Sequence, residues 1–477
     1  MSSVTSSPAI EPPESEPPDP ARVLRVAMRV GVALLMSGDQ TDDVEAACVA
    51  VASAYGMNTV QAAVTFSTIT ISHDAPGTNR PTTLLHIVKD RTSDFTRLAS
   101  ASSLVRRIQE ERLPLETAEA ELDDLDRLRP NYNQAVSFVA PGVSAAASTL
   151  VFAGSAFDAL VTLGIALILQ PALVVLDRAT IPPFFRLVFG AFATTALVGL
   201  LVGLGVPIIG GLVLTGSLLR FLPGYALVSG FRDLIGQSMI SGTARLAEAL
   251  LLGAGVAGGT AIGLGLAGLF GVHLSLLTTG GVAWGLLVTL PAAFVAVGAF
   301  AVRLGVPRSA IVAASLLGAI AWWMNGALAG PGPATIDPTL ATLAASIVIG
   351  IVGRLLAGRE HGAAALWVVP AVLLLLPGLQ IVSAMLAPTN ELRIAGMLAA
   401  GGTAFLLGTG VASGDIIVLT ARRLRDRVVD PAVGVMSEGI DVLVVTPVEH
   451  ALERLHGRRA TDAPRSVQEQ DRDELGG

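Results

Sequence analysis

Between Ala135 and Thr420 the chain runs as charge-free apolar windows about 20 residues long, broken by Gly, Pro or Arg. These windows predict ten membrane-spanning helices, at 136–154, 156–176, 184–204, 206–222, 246–270, 274–299, 309–330, 338–357, 362–386 and 395–419. The third and fourth share one uncharged run, Leu187–Leu219. A single helix over that run would rise about 50 Å, well past the hydrocarbon thickness, so a hairpin at Gly205-Val206-Pro207 is predicted instead.

The first 130 residues follow a different pattern. Residues 1–20 hold six Pro and four acids, with no basic segment before an apolar core, which predicts a disordered lead-in and not a signal peptide. A helix follows from Ala21 to Met36, with Arg22, Arg25 and Arg29 on one face. Ser37-Gly38-Asp39-Gln40-Thr41 breaks it, and Thr41 is expected to cap a second helix reaching Tyr55. Val60–Ile71 and Thr82–Val88 are β-type runs, and the turn between them is expected at 74–79. Helical periodicity returns at Asp94–Arg112 and Leu115–Leu128, so 21–130 reads as a small cytoplasmic α/β domain.

Composition sharpens this division. The chain has 477 residues, 52% hydrophobic and 14% charged, where a soluble protein carries about a quarter charged residues. Residues 136–420 hold 10 Arg and 8 Asp or Glu, and the flanks hold the other 51 charged residues. The expected fold class is therefore an all-α polytopic membrane protein preceded by a small α/β domain. The parts are a lead-in (1–20), the α/β domain (21–130), two membrane halves (135–270 and 274–420) and a polar cytoplasmic tail (421–477). No stretch offers the basic face that nucleic acid needs. The lone Cys48 excludes an internal disulfide, and six scattered His give no metal-ligand spacing, so no cofactor or metal is expected.

Loop charges set the expected orientation. Arg178, Arg186, Arg220, Arg232, Arg245, Arg303, Arg308, Arg354, Arg359 and the Arg422–Arg427 cluster fall on the side of both termini, and only Arg393 on the other. Both termini are then cytoplasmic by the positive-inside rule. Within the membrane region the sequence repeats itself. Leu222-Pro223-Gly224-Tyr225-Ala226-Leu227-Val228-Ser229 returns as Leu376-Pro377-Gly378-Leu379-Gln380-Ile381-Val382-Ser383, 154 residues later. Val198–Leu201 matches Val352–Leu355 at that offset, and Leu251–Gly259 matches Leu406–Gly414 at 155. Two copies of five helices each, an odd number, would be inverted relative to one another, as in alternating-access transporters.

The Pro-Gly pairs, Pro223-Gly224 and Pro377-Gly378, are expected to break helices and free backbone groups for a solute. Ser229, Asp233, Gln237, Ser241 and Arg245 recur every four residues, which predicts one polar helical face lining the pathway, with Arg245 for a carboxylate and Asp233 for an ammonium group or a proton. Glu248 and Asp158 are further proton-coupling candidates, Asp158 also reading as a helix cap. Ser383, Thr278, Thr279 and Asn325 are candidate polar contacts, and Asp415 is expected at the membrane interface. Ser67, Ser72, His73 and Asp74 lack the spacing of a hydrolytic site, so no catalytic residue is assigned. The alternatives left open are a sensor or enzyme anchored by its spans, and a transporter or channel for another small solute.

These parts and motifs resemble the bacterial threonine/serine exporter family. The resemblance rests on Ser37-Gly38-Asp39-Gln40-Thr41, Glu45, Gly56 and the Thr-rich Thr65–Thr70, then Pro223-Gly224, Asp233-Leu234-Ile235-Gly236, Gly242 and Arg245-Leu246, in that order from about residue 25 to 420. Asp39 stands where a small residue is expected. The family implies export of threonine and serine from the cytoplasm across the bacterial cytoplasmic membrane, driven by the proton motive force. Its expected partners are the amino acid, protons and the lipid bilayer, and a homo-oligomer fits equally.

Overall fold

A computed structural model describes residues 19–74, 81–89, 94–128, 131–274, 281–330, 336–360, 362–387 and 389–429. The helices α1 (Pro20–Met36) and α2 (Thr41–Ala54) come first, then the strands β1 (Val60–Val64), β2 (Thr68–His73) and β3 (Thr82–Ile87), then α3 (Phe95–Glu110) and α4 (Leu115–Asp126). The strands form one antiparallel sheet in the order β1-β2-β3, with Val60 opposite His73 and Thr68 opposite Ile87. The run Val60–Ile71, expected as one strand, folds into two. Its turn closes where Thr65 N–H donates to Thr68 O at 2.8 Å. The turn expected at 74–79 lies largely outside the described residues.

Alternation along β2 buries Ile69 and Ile71 against α1, where Gly31 leaves room for Ile69 and Cys48. Burial pushes the Cys48 thiol up to about 12, so it stays an unreactive core group. The arginine face of α1 meets α4: Arg22 pairs with Glu119 at 2.7 Å, and Arg29 with Asp123 and Asp126 at 2.8 and 3.0 Å. Asp94 caps α3 by accepting from the N–H groups of Thr96 and Arg97. Thr41 is not a cap. Gln40 holds that position, and the Thr41 hydroxyl is used elsewhere.

The membrane region comprises α5 (Gln134–Val151), α6 (Ala156–Arg178), α7 (Pro183–Gly203), α8 (Gly210–Leu219), α9 (Gly224–Ile235), α10 (Met239–Leu269), α11 (Leu286–Leu304), α12 (Arg308–Ala329), α13 (Pro338–Glu360), α14 (Ala365–Ala371), a 3₁₀ turn (Leu373–Leu375), α15 (Gly378–Leu386) and α16 (Asn390–Val429). Among the described residues nine helices are long and apolar enough to cross a membrane, or ten when α8 and α9, bent by 55°, count as one span. The protein is a multi-pass membrane protein. The long uncharged run does turn near Gly205, which adopts a left-handed φ of 77°.

Two boundaries differ most from the sequence reading. The sixth span begins at Leu286 and not 274, so Trp284 precedes the helix and its indole donates to Gly154 O at 2.8 Å. Thr278 and Thr279 lie outside the described residues. The last helix continues to Val429, past the expected end of the membrane region, because arginines are good helix formers and suit a helix C-terminus. Residues from Ile417 onward form a second compact unit, described as far as 429.

Glycines set the closest helix contacts. A Cβ on Gly259 of α10 would overlap Val188 O of α7, and one on Gly414 of α16 would overlap Ile347 O of α13. Both are backbone atoms that cannot rotate aside. Gly259→Ala and Gly414→Ala should each destabilise the detergent-purified protein by about 1–3 kcal/mol. A melting temperature unchanged in both would refute this packing.

Candidate functional site

Two chain breaks meet within the membrane region. Pro223 precedes α9 with φ −79° and ψ 50°, and Pro377 precedes α15 with φ −73° and ψ 40°. In both, the glycine N–H reaches back to the leucine before the proline, Gly224 to Leu222 O at 2.8 Å and Gly378 to Leu376 O at 2.7 Å. The sequence Leu-Pro-Gly thus folds the same way twice, as the fixed proline φ and the small glycine allow. The breaks also touch reciprocally. A Cβ on Gly224 would stand 2.5 Å from Leu376 Cδ1, and one on Gly378 3.0 Å from Leu222 Cδ1. Each glycine therefore packs against the other motif's leucine.

Beyond the first break the expected single polar helix is absent. α9 ends at Ile235, Gln237 takes a left-handed φ of 71°, and α10 starts at Met239. The two helices fold back on each other, with Gly230 against Leu246 and Gly242 against Leu234. Asp233 and Arg245 still meet, across this hairpin and not along one face: Arg245 Nε lies 2.9 Å from Asp233 Oδ2, and both side chains are buried. Ser229 turns back to Tyr225 O at 2.8 Å, Ser241 is buried, and Gln237 is exposed in the turn. The four-residue spacing hid the break, because Gly236 alone does not mark a reversal.

The Asp233–Arg245 pair is sealed by the N-terminal domain. The Thr41 hydroxyl donates to Asp233 Oδ2 at 3.1 Å, and Arg245 Nη2 donates to Asp39 O at 2.8 Å. Arg245 Nη1 donates to the Tyr225 hydroxyl at 3.2 Å, and that ring packs edge-on against Phe95. Beside them Ser238 donates to Asp42 at 2.6 Å. Asp43 lies 3.5 Å from Arg354 of α13, and Arg354 lies 3.7 Å from Asp415 of α16. Asp415 also pairs with Arg232 and is buried among these arginines. The acidic turn between α1 and α2 is thus gripped by arginines from both membrane halves. Charges removed from water require such partners. A second contact joins Thr96 and Asn131 to Gly305 O, each at 3.1 Å.

The other candidates lie apart. Asp158 forms a capping box with Ser155 and accepts from Ile209 N–H at 2.9 Å, so both its oxygens are engaged. Glu248 is exposed on the third turn of α10. Asn325 accepts from the Thr342 hydroxyl at 3.2 Å. A cavity of about 540 Å³ lies elsewhere, lined among others by Val151, Trp284, Thr289, Trp322 and Trp323, and holds none of the charged residues.

Comparison with known proteins assigns the class. Residues 25–267 match the family model described as "Putative threonine/serine exporter", and residues 289–420 match "Threonine/Serine exporter, ThrE". The chain belongs to the threonine/serine exporter family, whose members are membrane exporters and not enzymes. It is 28% identical over 419 residues to a threonine/serine exporter of Corynebacterium glutamicum, covering 85% of this chain and 83% of the relative. It is 27% identical over 425 residues to a probable threonine/serine exporter of Mycobacterium tuberculosis, covering 86% and 79%. No solved structure matches.

Asp39 makes the seal sensitive to pH. Burial, then the neighbouring Asp43, raises its carboxyl from 3.8 to about 7, against the Gln40 N–H and the arginines Arg232 and Arg354. The folded protein therefore keeps this proton up to about pH 7, whereas the unfolded chain releases it near 3.8. Stability from Asp39 is full below the lower value and is lost as pH rises to the upper one. The melting temperature should fall between about pH 4 and about pH 7, and Asp39→Asn should flatten that fall. Identical slopes in the two proteins would rule out the effect.

Proposed function

We propose that this protein exports threonine and serine from the cytoplasm, exchanging them for protons by alternating access of two inverted five-helix halves. The observation that carries this reading is the reciprocal contact of the two Leu-Pro-Gly breaks. Two copies related by a two-fold axis in the membrane plane touch in this way, each motif contacting the equivalent part of the other. The matched glycines Gly259 and Gly414, each pressed on the neighbouring helix backbone, support the same duplication. The named relatives supply the substrate class.

In this reading the breaks at Pro223-Gly224 and Pro377-Gly378 form the substrate region, with Ser229 and Ser383 one turn further on. The hairpin bearing Asp233, Gln237, Ser241 and Arg245 is the cytoplasmic gate, closed by the Ser37–Asp43 turn. Asp233 carries the coupling proton: its Oδ1 is buried without a hydrogen-bond partner, so opening the clasp exposes a carboxylate ready to take one up. Asp158, fully engaged as a cap, and Glu248, exposed, suit that task less well. Both termini are cytoplasmic. The connections bearing Arg232, Arg303 and Arg308, expected on that side, adjoin the N-terminal domain.

Vesicles containing the purified protein and loaded with labelled threonine should release it faster than protein-free vesicles, and faster still with acid outside. Asp233→Ala and Arg245→Ala should insert but lose most of that release. Release equal to protein-free vesicles would contradict export; indifference to the gradient would contradict proton coupling; wild-type rates in both variants would remove the gate assignment.

A further inference from the structure

Arg220, which loop-charge counting places in a cytoplasmic loop, is buried at the end of α8, with 7% of its surface exposed. None of its three guanidinium nitrogens has a hydrogen-bond partner among the described residues. Among the described residues its favourable contact is the face of the adjoining Phe221 ring, 4.5 Å away. A cation–π contact offsets only part of what desolvating a guanidinium costs. One turn earlier the Ser217 hydroxyl is also buried and unpartnered. On α7, Thr194 is in the same condition, between Gly190, which meets Phe221, and Val198, which meets Gly210 at the start of α8.

The second Leu-Pro-Gly motif serves as an internal control. Arg220 stands three residues before Pro223, and the residue three before Pro377 is Leu374; Ser217 corresponds in the same way to Ala371. Leu374 is 4% exposed and Ala371 0%, so the position packs well with apolar side chains. The polar pair in the first copy is therefore not required by packing. Its place matters too. α8 ends at Arg220 and α9 begins at Gly224 without a side-chain cap, so helix carbonyl and N–H ends flank the guanidinium within four residues. A zwitterion needs both polarities, and a planar guanidinium matches a carboxylate in bidentate fashion.

We infer that Arg220 is the anchor for the α-carboxylate of the transported amino acid, with Ser217 beside it for a second polar contact. The inference rests on the exporter reading above and names the binding residue within it. The test is counterflow of labelled threonine in vesicles, with melting curves of the same proteins. Arg220→Leu should raise the KM for threonine by at least about tenfold, and Arg220→Lys, which keeps the charge but loses the fork, should fall between. Without substrate, Arg220→Leu should melt no lower than the wild type, because a buried unpaired charge has been removed. Threonine should raise the melting temperature of the wild type, threoninamide should not, and Arg220→Leu should respond to neither.

A wild-type KM in Arg220→Leu, or a lower substrate-free melting temperature in both variants, would overturn the assignment in favour of a structural role. The two readings fail separately. A wild type that moves neither threonine nor serine defeats the exporter reading. Arg220 is then judged by melting curves with a panel of amino acids and their amides. Protection of the wild type by any acid over its amide, lost in Arg220→Leu, upholds the anchor; equal protection in both proteins refutes it.

Discussion

The membrane region is organised around a contact between two short breaks in otherwise apolar helices, Gly224 against Leu376 and Gly378 against Leu222. A proline ends each preceding segment by removing a backbone donor, and a glycine lets the other motif's leucine approach. In hydrocarbon such irregular backbone is tolerated only where protein surrounds it. The two breaks meet that condition by covering each other. They also place a helix end and a helix start side by side, next to the otherwise uncompensated Arg220.

The second constraint is charge. Arg232, Arg245 and Arg354 come from helices of both halves, and Asp233 and Asp415 neutralise them only in part. In the turn between the first two helices Asp43 supplies a further carboxylate to Arg354 and the Asp39 carbonyl accepts from Arg245, while Thr41 donates to Asp233 and Asp42 accepts from Ser238. The N-terminal domain thereby becomes part of the electrostatics of the membrane region. Loss of the seal would leave buried charges unpaired, which favours the closed arrangement. The raised Asp39 carboxyl lies in this same turn.

Much of this was legible in the chain. Charge-free windows located the membrane helices because twenty apolar residues have few other uses in a protein of this size. The Leu-Pro-Gly repeat pointed to the two breaks, since proline and glycine act locally. The arginine face of α1 was readable from spacing, and α4 supplied its partners. What failed was reading tertiary reversal from periodicity. Ser229 to Arg245 kept a four-residue rhythm through a turn at Gln237, so one helix was expected where two pack together. Arg220 was misplaced because positive residues near span ends usually lie in loops, and no sequence rule reports that a particular one is buried. The partners of Asp415, Arg232 and Arg354, were equally hidden, because they lie far from it along the chain.

Inversion of the two halves is most directly tested by chemical labelling of single cysteines in intact cells. Gln237 lies in the exposed turn after the first broken segment, and Thr389 is exposed after the second; the native Cys48 is buried. A membrane-impermeant thiol reagent added outside should label Thr389→Cys and leave Gln237→Cys untouched until the membrane is opened. Labelling of both from the same side would contradict the inverted arrangement.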